Sequence, residues 1–161
     1  MILVLMGVSG CGKTTVGKIL ASQLGWVFYD ADDFHPQSNV EKMRAGQALT
    51  DEDRWPWLDR LNALLRSSEV GGEDAIMACS ALRQVYRDRL AQGCKDVRWR
   101  FLKGTFELIQ SRLAVRKGHY MNPSLLQSQF ATLEEPVDAI VIDITGPPEA
   151  LADRIRESIQ R

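Results

Sequence analysis

The segment Gly7-Val8-Ser9-Gly10-Cys11-Gly12-Lys13-Thr14 matches G-x-x-x-x-G-K-[ST] in full, and it constrains the fold more than any other stretch of the chain. Its glycines let backbone N–H groups converge on phosphate oxygens where a Cβ would intrude, and the helix start behind them adds partial positive charge. Such a loop needs a strand before it and a helix after it. Ile2-Leu3-Val4-Leu5-Met6 is an unbroken apolar run, as in a strand covered on both faces. Beyond the loop, Val16, Ile19, Leu20 and Leu24 recur at helical spacing, and Gly25 follows as a C-cap. Lys13 is placed to reach the β- and γ-phosphates of a nucleoside triphosphate, and the Thr14 hydroxyl to ligate Mg2+.

Strand and helix patterns then alternate. Trp26-Val27-Phe28-Tyr29 reads as a second strand, Ala75 to Cys79 as a third and Ala139 to Ile144 as the last, each followed by a helical segment. Residues His35 to Ser68 carry no strand pattern. There, Val40 and Met43 mark a short helix, and Thr50 caps a longer one whose stripe is Trp57, Leu58, Leu61, Leu64 and Leu65. Val97-Arg98-Trp99-Arg100 alternates, which by pattern alone suits a half-exposed edge strand. Strands joined by helices imply right-handed crossovers and a parallel sheet, hence an α/β fold, expected as one domain over residues 1–161.

Composition removes other classes. Twenty Lys and Arg against twenty-one Asp and Glu give a net charge of −1, which offers no basic stripe for nucleic acid and no polybasic membrane patch. No apolar run approaches the roughly 20 residues that span a bilayer, and the first residues lack the pattern of a secretory signal. Three cysteines at irregular spacing make neither a disulfide framework nor a zinc site, so a cytoplasmic protein with reduced thiols is expected. Cys79 reads as a small buried hydrophobe. Cys11 sits among N–H donors at a helix start, a setting that activates thiols, so alkylation is expected to inactivate and bound nucleotide to protect.

The third strand ends without an acid, so the magnesium carboxylate must come from elsewhere. Asp30 and Asp32, at the end of the second strand, are the candidates, because adjacent βα loops open at the same carboxyl edge. In extended chain their side chains share a side while Ala31 faces away. Asp30, nearer the phosphate loop, is assigned to the metal and Asp32 to the base that takes a hydroxyl proton. The alternative is that Asp30, Asp32 and Asp33 only cap a turn.

These residues belong to a wider pattern. With the phosphate loop go Asp32-Asp33-Phe34-His35-Pro36, Asn39-Val40-Glu41-Lys42-Met43, Asp51-Glu52-Asp53-Arg54, Pro56-Trp57-Leu58, Cys79-Ser80-Ala81-Leu82, Tyr86-Arg87-Asp88, Leu102-Lys103-Gly104, Arg116 with Gly118-His119, and Ser128-Gln129-Phe130 before Thr132-Leu133-Glu134. Through nearly its whole length the chain resembles the gluconokinases, small P-loop kinases related to shikimate and nucleoside monophosphate kinases. The resemblance implies ATP-dependent phosphorylation of D-gluconate to 6-phospho-D-gluconate with Mg2+, and five parallel strands with the fourth inside the sheet. It also implies a substrate-side cap over about residues 35–68, a lid over about 112–123, and compatibility with a homodimer. Nucleotide contacts would come from residues 7–15, including Thr15, and from Arg112 beside adenine. Arg116 would meet the transferring phosphoryl group, and His35, Arg54, Ser80, Arg83, His119 and Asp32 the sugar acid.

Each assignment has a plainer counterpart. A guanidinium fork suits Arg54 as a carboxylate or hydroxyl clamp, with Arg83 second, yet both also suit surface ion pairs. His35 also suits a core histidine, Arg112 and Arg116 a solvated helical face, and Trp55 and Trp57 packing. Three departures from the family pattern are Cys11 where serine is usual, Ala31 where glycine is common, and Arg83 where lysine is common. The other readings are a kinase with another small acceptor, shikimate or a nucleotide, and an ATP-binding switch with no acceptor.

Overall fold

A computed structural model describes residues 1–115 and 123–160. Five strands, β1 (Ile2–Met6), β2 (Val27–Asp30), β3 (Ala75–Ala78), β4 (Val97–Lys103) and β5 (Ile140–Asp143), form one all-parallel sheet in the order β2-β3-β1-β4-β5. Seven helices accompany them among the described residues: α1 (Lys13–Leu24), α2 (Gln37–Arg44), α3 (Asp51–Val70), α4 (Gln84–Ala91), α5 (Phe106–Ala114), α6 (Pro123–Thr132) and α7 (Pro148–Ile159). The acidic segment after β2 is a 3-10 turn, Ala31–Phe34. Among the described residues no helix is long and apolar enough to cross a membrane.

β1 is central, and its residues alternate between two cores as a strand must. Leu3 and Leu5 pack with Val16, Leu20, Ile109, Leu151 and Ile155 on the face covered by α1, α5 and α7. Ile2, Val4 and Met6 pack with Trp57, Leu58, Leu61, Leu65 and Leu90 on the face covered by α3 and α4. Gly17 lets α1 lie close to the sheet, because a Cβ there would stand 2.5 Å from the Phe28 ring.

β4 lies inside the sheet, between β1 and β5, as the family resemblance implies and its alternation does not. The alternation points to an edge because Arg100, which is buried, and Arg98, which is half-buried, both reach across to α7. The Arg100 guanidinium donates to Ser158 Oγ at 2.7 Å and Ser158 O at 3.0 Å, and Arg98 Nη1 donates to Ile159 O at 3.0 Å. Both satisfy carbonyls that the end of α7 leaves open. α4 begins only at Gln84, because Ala81 takes a left-handed φ of 45° and Arg83 is extended.

The start of α3 matters for the site because it aims Asp51 and Arg54. Thr50 Oγ1 accepts from Asp53 N at 3.1 Å, and Asp53 Oδ2 accepts from Thr50 N at 2.9 Å and from Lys42 Nζ at 2.8 Å. The Lys42 bond first, then the Thr50 amide, lowers the Asp53 pKa to about 2. That stabilising effect is present above the unfolded carboxylate's pKa and is lost as pH falls towards 2. Thr50→Ala should cost about 1 kcal/mol. It should appear as a lower urea midpoint at unchanged m-value, and an unchanged midpoint would show that the cap contributes nothing.

Candidate active site

Sheet register creates the site. Leu5 of β1 and Asp30 of β2 both lie opposite Ala78 of β3, so the acidic strand end is level with the start of the phosphate loop. Thr14, in the first turn of α1, closes the gap: its Oγ1 donates to Asp30 Oδ2 at 2.9 Å. Asp30 Oδ1 accepts from Asp32 N at 3.0 Å and so caps the 3-10 turn. One carboxylate therefore caps the turn and also meets the first turn of α1 behind the phosphate loop.

Gly7 has φ 146° and a Cβ there would sit 2.7 Å from Leu102 O, so only glycine allows the loop to leave β1 in this direction. Lys13 Nζ donates to Gly7 O at 3.0 Å and Val8 O at 3.1 Å, which holds the ammonium over the loop. Thr15 is exposed just behind it. Gly7 N donates to Ser80 O at 3.3 Å, so Ser80 joins the site through its backbone. Lys13, Asp30 and Asp32 converge on the end of β3, for all three charges act on the Cys79 thiol. Burial pushes that thiol up to about 12, as expected of an inert core cysteine.

The expectation of a reactive Cys11 is corrected. Its side chain is fully buried and packs in the α1 core, with Sγ 2.8 Å from where a Gly7 Cβ would stand. The backbone of Cys11 turns towards the loop while its sulfur turns inward, out of reach of reagents.

On the α3–α4 side lies a cleft of about 490 Å3 lined by Leu49, Arg54, Arg83, Tyr86, Thr132 and Glu134. Arg83 Nη1 is 2.9 Å from Asp51 Oδ2 and Arg54 Nη1 3.7 Å from Asp51 Oδ1. Tyr86 OH donates to Asp51 Oδ1 at 2.5 Å. Both guanidinium groups lie over the Tyr86 ring, at 5.2 and 5.5 Å. The Tyr86 hydrogen bond, aided by both arginines, holds the Asp51 carboxyl below its ordinary pKa. Arg54 thus makes the ion pair, and it lines the cleft.

His35 lies beside Asp32, with Nε2 3.8 Å from Asp32 Oδ1, but its side chain is only 3% exposed. Its ring stacks on Trp57 at 4.2 Å between centroids. Burial, then the Arg54 charge, lowers its pKa to about 4, so it is neutral at pH 7. This corrects the reading of His35 as an open sugar contact and gives weight to the core one. Arg112 Nη2 donates to Ile144 O at 2.7 Å, which sets its guanidinium against the β5–α7 loop. Arg116 and His119 lie outside the described residues.

Several site residues were not assigned from sequence. Gln129 of α6 accepts from Ser9 N at 2.7 Å and donates to Ser9 Oγ at 3.0 Å. Glu134 Oε1 accepts from Gln84 N at 2.7 Å at the start of α4, and Glu134 N donates to Leu82 O at 2.7 Å. Arg87 spans the same junction, from Ala81 O at 2.6 Å to Glu134 O at 2.8 Å. Asp51, Arg87, Gln129 and Glu134 all fall within the motif segments that carry the family resemblance, but no role was assigned to any of them there.

A phosphate loop alone leaves the chemistry open. Here the loop faces an acidic strand end, and a separate cationic cleft is available to a second substrate, which is the layout of a P-loop kinase. A family model described as shikimate kinase matches residues 9–160. The thermoresistant gluconokinase of Escherichia coli K12 is 42% identical over 164 residues, covering 99% of this chain and 94% of the relative. The gluconokinase of Gluconobacter oxydans is 45% identical over 158 residues, covering 96% and 89%. The crystal structure of a gluconokinase from Sinorhizobium meliloti superimposes with a TM-score of 0.84 at 37% identity, covering 98% and 94%. The chain belongs to the gluconokinase family.

The burial of the thiols gives a direct check. Cys94 is half-buried whereas Cys11 and Cys79 are buried. Native labelling with iodoacetamide, mapped by peptide mass, should therefore reach Cys94 first and the other two only on unfolding. Fast labelling of Cys11 would contradict the inward sulfur.

Proposed function

We propose that this chain transfers the γ-phosphoryl group of ATP to the C6 hydroxyl of D-gluconate, giving ADP and 6-phospho-D-gluconate in the cytoplasm. The observation that carries the reading is the Thr14–Asp30 hydrogen bond, which ties a phosphate loop to the acidic strand end. The family membership supplies the acceptor.

The residues present fit the nucleotide and the metal. Backbone N–H groups over residues 7–15 form an anion cradle, and Lys13 trades the Gly7 and Val8 carbonyls for phosphate oxygens. The described residues contain no group of three or more His, Cys, Asp or Glu able to hold a metal. Among the described residues Thr14 and Asp30 would hold it, which suits Mg2+, an ion that takes most of its ligands from phosphates and water. Held by Thr14 and Asp30, the ion would supply neutralisation of the charge that develops on the triphosphate.

Asp32 takes the proton of the C6 hydroxyl as that oxygen forms its bond to Pγ and the bond from Pγ to the bridging oxygen of ADP breaks. Arg54 and Arg83 hold the sugar acid's carboxylate or hydroxyls, trading part of their pairing with Asp51. Residues 35–68 act as the cap, and 112–123 as the lid. Within that lid segment Arg116 neutralises phosphoryl charge and His119 meets the sugar acid, while Arg112 flanks adenine.

An ADP-release assay across gluconate, shikimate and nucleoside monophosphates tests the reading. Gluconate should stimulate turnover, and the product should carry phosphate on C6. Lys13→Ala should abolish turnover at an unchanged melting curve. Asp32→Asn should lower kcat by roughly 10²–10⁴ with little change in KM for ATP. Stimulation by shikimate alone, or by no acceptor, would overturn the assignment.

A further inference from the structure

Asn39 is a buried amide with no part in the mechanism above, at 2% exposure. Its Nδ2 stands 2.9 Å from Asp53 O and 3.2 Å from His35 Nδ1. A backbone carbonyl only accepts, so the atom facing it must be the amide nitrogen. The second hydrogen of that nitrogen is then available to His35 Nδ1, which must present a lone pair. A neutral imidazole has one proton, and here it is left on Nε2. That N–H faces Asp32 Oδ1 across 3.8 Å.

The ring is held in place. His35 is stacked on Trp57, whose Nε1 donates at 2.8 Å to Ala31 O, the carbonyl between the two acids. Asp32 has a side chain 83% exposed. Closing 3.8 Å to an ordinary N–H···O length of about 2.9 Å needs a carboxylate shift of about 1 Å. One oxygen is then held by His35, and the other is aimed at the acceptor hydroxyl.

We propose that Asn39 and His35 are positioning residues for Asp32: the Asn39 amide fixes His35 as the Nε2–H tautomer, and that N–H orients the carboxylate. The proposal rests on Asp32 being the base. It also accounts for a histidine that is buried yet adjacent to the site.

The test joins spectroscopy and kinetics. The chain has two histidines, so 15N-histidine NMR of the His119→Gln variant reads His35 alone. At pH 7 it should be neutral with its proton on Nε2, and a proton on Nδ1 overturns the proposal. His35→Phe keeps a stacked ring without a donor, and should lower kcat by about 10²-fold at unchanged KM for ATP, the scale of a 1 Å misplacement. His35→Gln, which restores an N–H donor, should recover most of that loss. On an Asp32→Asn background, His35→Phe should add nothing. An impaired Asp32→Asn beside an unimpaired His35→Phe, or fully additive losses, overturns positioning alone. An Asp32→Asn enzyme with full kcat overturns the base assignment and positioning with it.

Discussion

The 2.9 Å hydrogen bond from Thr14 to Asp30 is possible only because every strand of the sheet is parallel. In a parallel sheet all βα loops open at one edge, and β3 spaces β1 from β2 by two strand widths, about 10 Å. α1 lies across that interval, and Gly17 brings it close enough for its first turn to reach the end of β2. A shift of β2 by one residue would turn Asp30 to the opposite face of the sheet and leave Thr14 facing its neighbour.

The cationic side of the site depends on a different balance. Arg54 and Arg83 share Asp51 and the Tyr86 ring, so their like charges are compensated before any ligand arrives. Pairs this exposed are individually weak, which lets a substrate carboxylate or hydroxyl compete for the same guanidinium groups. The two sides are braced by the segment 129–134. Gln129 holds Ser9 of the phosphate loop, and Glu134 holds the start of α4. The phosphate loop and the cationic cleft are thereby connected through one short stretch of chain.

What could be read from sequence follows the range of the interaction that decides each feature. The phosphate loop, the β1 strand and the Thr50–Asp53 capping box are set by residues within a few positions of one another, and their patterns are local. The interior place of β4 is set by Arg98 and Arg100 reaching α7 some sixty residues away, so its alternation pointed to an edge. The burial of Cys11 depends on the space beneath Gly7 and on the α1 core, which motif spacing does not report. Gln129 and Glu134 stand in the family pattern, but their partners Ser9 and Gln84 lie far away in sequence and only the fold brings them together. His35 was legible as a neighbour of the acids but not as a buried one, because Trp57 covers it from α3.

The central claim is that two carboxylates one residue apart do different work, Asp30 with the metal and Asp32 with the acceptor proton. A magnesium titration of Asp30→Asn and Asp32→Asn at saturating gluconate and ATP separates them. The account predicts that Asp30→Asn moves the magnesium half-saturation to higher concentration, while Asp32→Asn is slow at every magnesium concentration with its half-saturation unmoved. A raised magnesium requirement in Asp32→Asn alone, or an unimpaired pair of variants, would contradict it.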